Sequence, residues 1–484
     1  MPSSTPSSGA HILIFPYPAQ GHMIPLLDFS HQLSLRSLKI TILVTPKNLP
    51  ILNPLLSKNP SIKTLVLPFP NHPRLPQGVE NVKDLSPNHF YTMLNAMSGL
   101  YNPILEWFKS HPSPPVAIIS DFFLGWTHEL ACELGIPRID FSPSGAMAIA
   151  VMDKLFQNVP KLNGDPYHQI ESFPDIPSSP FYPWWQLPSL YRSLKHGEPE
   201  SDFIRKSMLA NFDSWGIVIN SFNELESVYL DYLRKKPNGL GYYNRVWAVG
   251  PILPSDDDVT GPAKERGGSG SASTDGILSW LDTCPDSSVV YVCFGSQVVL
   301  SNKQMEGLAR GLESSAVRFL WCVKEPTTGH VDGEYSVVPA GFEDRTAGKG
   351  MLIRGWAPQL PILKHRSVGS FMTHCGWNSV IEGLTSRVVM LTWPMRAEQF
   401  VNATLLVDQL KVAIRVCEGV DTVPDPDELS RILSDSVSEN GLEVRVRAVE
   451  LCKASLAAVK EGGSSFMDLD AFVKDLAALE PCSK

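Results

Sequence analysis

Short apolar runs, each closed by a turn residue and several followed by helical periodicity, recur along this chain and leave few folds open to it. HILIFP (11–16) ends in Pro and is followed by AQGH; MIPLLDFSHQLSLRS then repeats apolar residues at helical spacing. LKITILVTP, VAIISDFFLGW, GIPRIDFSP and WGIVINSF extend the pattern, and the strand of VAIISD ends at Ser120-Asp121. Strands alternating with helices predict parallel sheets covered on both faces, and such sheets bind ligands at the carboxyl ends of their strands.

Between residues 251 and 276 the composition changes to PILPSDDDVTGPAKERGGSGSASTDG, which reads as a linker. Beyond it SSVVYVCFGS predicts a strand closed by a Gly-Ser turn, a helix follows from about residue 303 to 314, and RFLWCV gives another strand. The expected organisation is therefore a disordered tail over 1–10, an N-terminal α/β domain over 11–250, the linker, a second α/β domain over 277–455, and a terminal helical segment over 456–484.

A chain of 484 residues with 43% hydrophobic residues is large enough for two or three cores. The net charge of −9 argues against a nucleic-acid or anionic-membrane partner, which requires a basic face. No apolar run approaches the ~20 residues of a membrane span, and MPSSTPSSGA lacks the features of a secretory leader. Eight cysteines without CxxC spacing read as reduced thiols. Together these features lead us to expect a cytoplasmic, monomeric protein without membrane insertion, in which the sequon Asn402-Ala403-Thr404 is a coincidence.

The densest chemistry lies in 356–399, WAPQLPILKHRSVGSFMTHCGWNSVIEGLTSRVVMLTWPMRAEQ. An apolar strand runs into a Gly-containing turn and then a helix, an arrangement whose backbone N–H groups and dipole suit a diphosphate. WAPQ, HCGWNS, Glu382, Trp393-Pro394 and the final acid-Gln pair resemble, in that order, the donor-binding box of plant UDP-dependent glycosyltransferases. Similar features run along nearly the whole chain, and they look closest to members that glucosylate flavonols and phenolic acids. The resemblance implies a GT-B architecture, in which two Rossmann-like domains face each other across a cleft and the last helix returns to the N-terminal half. Phe466, Leu469, Phe472 and Leu476 recur at the spacing such a helix needs.

The resemblance also implies roles. Trp356 offers a flat face to uracil, with the Ala357 backbone at the base edge; a buried core Trp is the plainer alternative. Gln359 and Glu382 would hold the ribose hydroxyls, although Glu382 is also acceptable as a solvated helix residue. His374, Asn378 and Ser379, the backbone at Gly376 and Trp377, and Ser296 would take the diphosphate. Glu398 and Gln399 would meet the sugar with Trp393 nearby in the donor site, and Gln399 favours glucose over galactose. His22, in PAQGHMIP at the mouth of a helix, is the candidate base, since an imidazole titrates near neutral pH. Asp121 would orient it, or alternatively would cap the following helix.

Phe122, Met147, Trp184, Trp185 and Phe203 are candidates for an apolar acceptor wall, the tryptophans within the Pro-rich stretch 172–193. No metal ligand is expected: the DxD matches at 256–258, 425–427 and 468–470 fall in the linker, at a helix cap and on the last helix. The implied reaction is inverting, metal-independent transfer of glucose from UDP-glucose, as co-substrate, to a hydroxyl or carboxyl of a flavonoid or hydroxybenzoate. A sugar-nucleotide-binding protein without activity is the alternative. An NAD-dependent oxidoreductase is a more distant one, because no GxGxxG follows a strand. One segment departs from the box: Arg387-Val388-Val389 stands where Gly-Val-Pro is usual, and a left-handed conformation there would strain the Arg.

Overall fold

The computed structural model describes residues 9–85, 89–158, 160–235, 243, 245–254, 273–326 and 333–480. Residues 1–8 of the expected tail and 255–272 of the expected linker lie outside them, as does Cys482. The chain divides into two compact units. The first comprises Met1–Pro160, Leu194–Ile252 and Ala458–Lys484, and the second Lys161–Ser193 and Leu253–Ala457.

Strands β1 (His11–Phe15), β2 (Lys39–Val44), β3 (Lys63–Val66), β4 (Ala117–Asp121) and β5 (Arg138–Ser142) come first along the chain. After β6 (Ile170–Ser172) and β7 (Phe181–Pro183) follow β8 (Gly216–Ile219) and β9 (Val246–Ala248). The first unit's sheet has the order β3-β2-β1-β4-β5-β8-β9, all parallel. Ile12, Ile14, Ile119 and Val218 are fully buried, as expected for continuous apolar runs covered on both faces. The helix Gln20–Ser34 starts three residues before the sequence pattern suggests. Pro25 reads as a first-turn residue, yet the helix tolerates it one turn further in, which brings His22 into the first turn.

The second unit's strands are β10 (Val289–Cys293), β11 (Arg318–Val323), β12 (Gly350–Arg354), β13 (Val368–Thr373), β14 (Val389–Thr392) and β15 (Ala413–Arg415). They form a second parallel sheet, β12-β11-β10-β13-β14-β15. The helix Asn302–Ser314 opens with a capping box between Ser301 and Gln304.

Two boundaries need correction. The stretch 161–193, placed by chain order in the N-terminal half, belongs to the second unit. Its antiparallel pair β6–β7 leads into Trp185, which packs edge-on against Phe400 at 5.2 Å, and Gln186, which donates to Glu418 at 3.0 Å. The helix Thr274–Asp282 also begins inside the expected linker, capped by the Ser273 hydroxyl.

The last helix, Ser464–Ala477, packs on the first sheet. Leu469, Phe472 and Leu476 enter the first core, and Phe472 meets Trp247 at 4.9 Å and Phe29 at 5.7 Å. Each such buried side chain contributes about 1.5–3 kcal/mol. Phe466 stays half-buried.

Candidate functional site

In each sheet the strand order changes sense at one point, and each unit's candidate residues lie beside its own. In the first sheet the order changes sense between neighbours β1 and β4, where Phe15 pairs with Ser120. A crevice at the carboxyl ends of two such strands is where α/β sheets bind ligands. The first turn of the helix Gln20–Ser34, which follows β1, carries His22, and the end of β4 carries Asp121. Nδ1 of His22 lies 2.8 Å from Asp121 Oδ2.

Asp121 is fully buried, and its other oxygen accepts the N–H of Phe123 at 3.0 Å. The two readings of Asp121 therefore hold together: one oxygen orients His22 and the other caps the turn Phe122–Leu124. The imidazole stacks on Phe123 at 4.8 Å and Phe122 at 5.5 Å, and Tyr17 meets it edge-on at 5.6 Å. Burial, and then the Asp121 charge, hold the Tyr17 phenol well above its ordinary range, so it stays neutral. Tyr17 and Phe123 escape sequence reasoning, because an aromatic beside a strand end looks like any core residue.

The second sheet changes sense between β10 and β13. Gly295 and Ser296 follow β10, and His374 follows β13. A Cβ built on Gly376 would come within 2.5 Å of the His374 ring, and one on Gly295 within 2.7 Å. Both glycines are thus required by the close approach of backbone to imidazole, and Gly295 also has φ +74°. Burial, and then the Arg396 guanidinium, push His374 down to about 4, so it is neutral at pH 7. Its Nδ1 is buried without a hydrogen-bond partner among the described residues.

The helix Trp377–Leu384 starts at Gly376 with no side-chain cap. Gln359 donates to Ser379 Oγ at 3.1 Å and to Glu382 Oε2 at 2.6 Å, bringing three box residues into one cluster. Trp356, Asn378 and Ser296 are half-buried and Ala357 is buried. Gln399 uses its carbonyl to accept from the backbone N–H groups of Met395 and Arg396, both at 3.0 Å, and fixes the turn beside Glu398.

The side chain of Trp393 lies in the core. Its side chain has no exposed surface, its indole N–H is spent on the Gly419 carbonyl at 3.2 Å, and it packs edge-on against Phe294 at 5.2 Å. The indole supports the site from behind, because a bulky aromatic after a buried strand fills the core. Asn402, read as an irrelevant sequon, is buried and donates to the Cys375 carbonyl at 2.9 Å. It thereby ties down Cys375, which adopts φ +65° between His374 and Gly376.

The candidate acceptor residues are spread over several elements. Phe122 lies against His22, Met147 is buried at the start of the helix Ala146–Gln157, and Phe203 is half-buried on the helix Pro199–Leu209. Trp184 and Trp185 belong to the second unit, Trp184 buried near Tyr191. Three carboxylates of the acidic pairs are engaged elsewhere. Asp425 caps the helix Pro426–Val437, Asp468 accepts from Ala248 N and pairs with Arg234, and Asp470 pairs with Arg36. Asp256-Asp258 lies outside the described residues. Arg387 does adopt the left-handed conformation, at φ +63°.

One α/β unit holds a histidine–carboxylate pair and the other a helix start suited to an anion. A model of the UDP-glucoronosyl and UDP-glucosyl transferase family matches residues 251–419. The chain is 55% identical to UDP-glycosyltransferase 89B2 of Stevia rebaudiana, over 99% of this chain and 100% of that one. It is 54% identical to flavonol 3-O-glucosyltransferase UGT89B1 of Arabidopsis thaliana, over 97% and 96%. The crystal structure of Arabidopsis thaliana UGT89C1 complexed with UDP-L-rhamnose matches with a TM-score of 0.80 at 38% identity, covering 97% and 100% of the two chains. The protein belongs to the UDP-glycosyltransferase family, with the GT-B class of α/β fold. Among the described residues no helix is long and apolar enough to cross a membrane.

Proposed function

We propose that this enzyme transfers glucose from UDP-glucose to a hydroxyl or carboxyl of a small phenolic acceptor, such as a flavonoid or hydroxybenzoate, with inversion and without a metal. The 2.8 Å bond between His22 and Asp121 carries the reading. With Nδ1 engaged, Nε2 of His22 takes the proton of the acceptor hydroxyl as that oxygen attacks the anomeric carbon. The bond from that carbon to the β-phosphate oxygen breaks, and UDP leaves. Asp121 stabilises the imidazolium, and the rings of Phe122 and Phe123 give a flat acceptor an apolar surface beside the base.

Trp356 stacks on the uracil, and Gln359 and Glu382 hold the ribose. The start of the helix Trp377–Leu384, with His374, Asn378, Ser379 and Ser296, takes the charge of the leaving diphosphate. The engagement of Asp425, Asp468 and Asp470 in a helix cap and in ion pairs supports assigning that work to these donors. Glucose is favoured by Gln399 and by the 54% identity to a flavonol 3-O-glucosyltransferase. The rhamnosyl donor in the UGT89C1 complex makes UDP-rhamnose the donor to compare.

The test is a mass-spectrometric screen of flavonols and hydroxybenzoates against UDP-glucose, UDP-galactose, UDP-xylose and UDP-rhamnose, with the anomeric coupling of the product read by NMR. A β-glucoside formed without added metal is the expected product. Turnover only with another sugar, or an α-linked product, overturns the donor or the stereochemical assignment.

A further inference from the structure

We propose that Arg138, together with Asn211, is a positioning residue for the base, fixing the turn that carries both the carboxylate partner and the aromatic floor of His22. Arg138 opens β5 next to β4 and is 1% exposed. A guanidinium has five N–H donors, and here five acceptors surround it. Nε donates to Ser120 Oγ at 2.9 Å, and one terminal nitrogen to Asn211 Oδ1 and Ser214 Oγ, both at 2.7 Å. The other terminal nitrogen donates to the Asp121 carbonyl at 3.3 Å and to Asp140 Oδ1 at 3.4 Å. Asn211 passes the contact on, donating from Nδ2 to the Phe122 carbonyl at 2.9 Å.

Two consecutive carbonyls, those of Asp121 and Phe122, are thus gripped by one guanidinium–amide pair. The same two residues and Phe123 supply the Nδ1 hydrogen bond and the stacking contacts that set the plane of the His22 ring. Burial pushes the Asp140 carboxyl up to about 7 despite the neighbouring Arg138 guanidinium. This inference rests on His22 being the base.

The test is Arg138→Lys, which keeps a cation but offers three donors in place of five. Turnover with UDP-glucose is measured on a weakly acidic phenol, which needs a base, and on a nitrophenol already ionised at the assay pH. We expect a loss of roughly tenfold or more on the first and about twofold on the second, with the UDP-glucose KM unchanged. Equal losses on both acceptors, or a change in KM alone, overturn the assignment. Asn211→Ala, which removes the link to the Phe122 carbonyl, must show the same split and decides the matter if the Lys variant does not fold. His22→Ala is the reference. If it shows no split between the acceptors, the base reading itself fails; if it does and both other variants do not, only the positioning role fails.

Discussion

Gln359 donates its side-chain amide to Glu382 at 2.6 Å, so the two residues assigned to the ribose hold each other before any donor arrives. Preorganisation of this kind lowers the ordering cost of binding. Gln359→Ala removes the contact to both Glu382 and Ser379, and hydrogen bonds to charged groups are worth about 1.5–3 kcal/mol. The expected outcome is a rise of roughly tenfold or more in the UDP-sugar KM with kcat within a few-fold. A fall in kcat at constant KM would place this pair in the chemical step instead.

Arg387 sits at φ +63° on the exposed turn before β14. A non-glycine residue there costs roughly 1–2 kcal/mol. Arg387→Gly is expected to raise the melting temperature by about 2–4 °C, measured by calorimetry. An unchanged or lower value would mean that the Arg387 contact with the Cys452 thiol outweighs the strain.

Asn402 is buried beneath the turn that holds Cys375. Asn402→Ala leaves a buried carbonyl without its donor, at about 1–3 kcal/mol. Denaturant unfolding is expected to show a loss of that size, with weakened UDP binding by calorimetry. Unaltered stability and affinity would dissociate this amide from the donor turn.

His374, held near 4 by burial, gives a signed pH dependence. Between about pH 6.5 and 4 the unfolded chain protonates this histidine while the folded chain keeps it neutral. Its contribution is therefore fully present above 6.5 and is lost as pH falls through that window. The melting temperature of His374→Gln is expected to fall less between pH 7 and 5 than that of the native protein. Parallel curves would contradict a neutral, desolvated His374.

The long buried strands were legible because parallel sheets covered on both faces need largely apolar runs, as β1, β10 and β11 have. The short strands β9 and β15, three residues each, and the edge strand β3, with only Leu65 buried, carry too little pattern to be read. His22 and Asp121 could be named because one opens the helix after β1 and the other ends β4, and the family resemblance supplied their roles. That one carboxylate both caps a turn and orients the imidazole depends on where its two oxygens point, which residue type alone does not encode. The return of 161–193 to the second unit was hidden because its anchors, Trp185 on Phe400 and Gln186 on Glu418, join residues more than two hundred positions apart. Trp393 shows the opposite case: it is conspicuous in sequence as a motif residue, whereas its burial and its bond to Gly419 depend on packing that residue type does not encode.

The most direct test of the proposed mechanism is the His22→Ala variant, assayed for transfer from UDP-glucose to a flavonol and, in the same preparation, for UDP affinity by calorimetry. Loss of a general base is expected to cost about 10²–10⁴-fold in transfer, while the UDP Kd stays unchanged because no donor contact is assigned to His22. Full retained transfer with intact UDP binding would contradict the role of the His22–Asp121 pair.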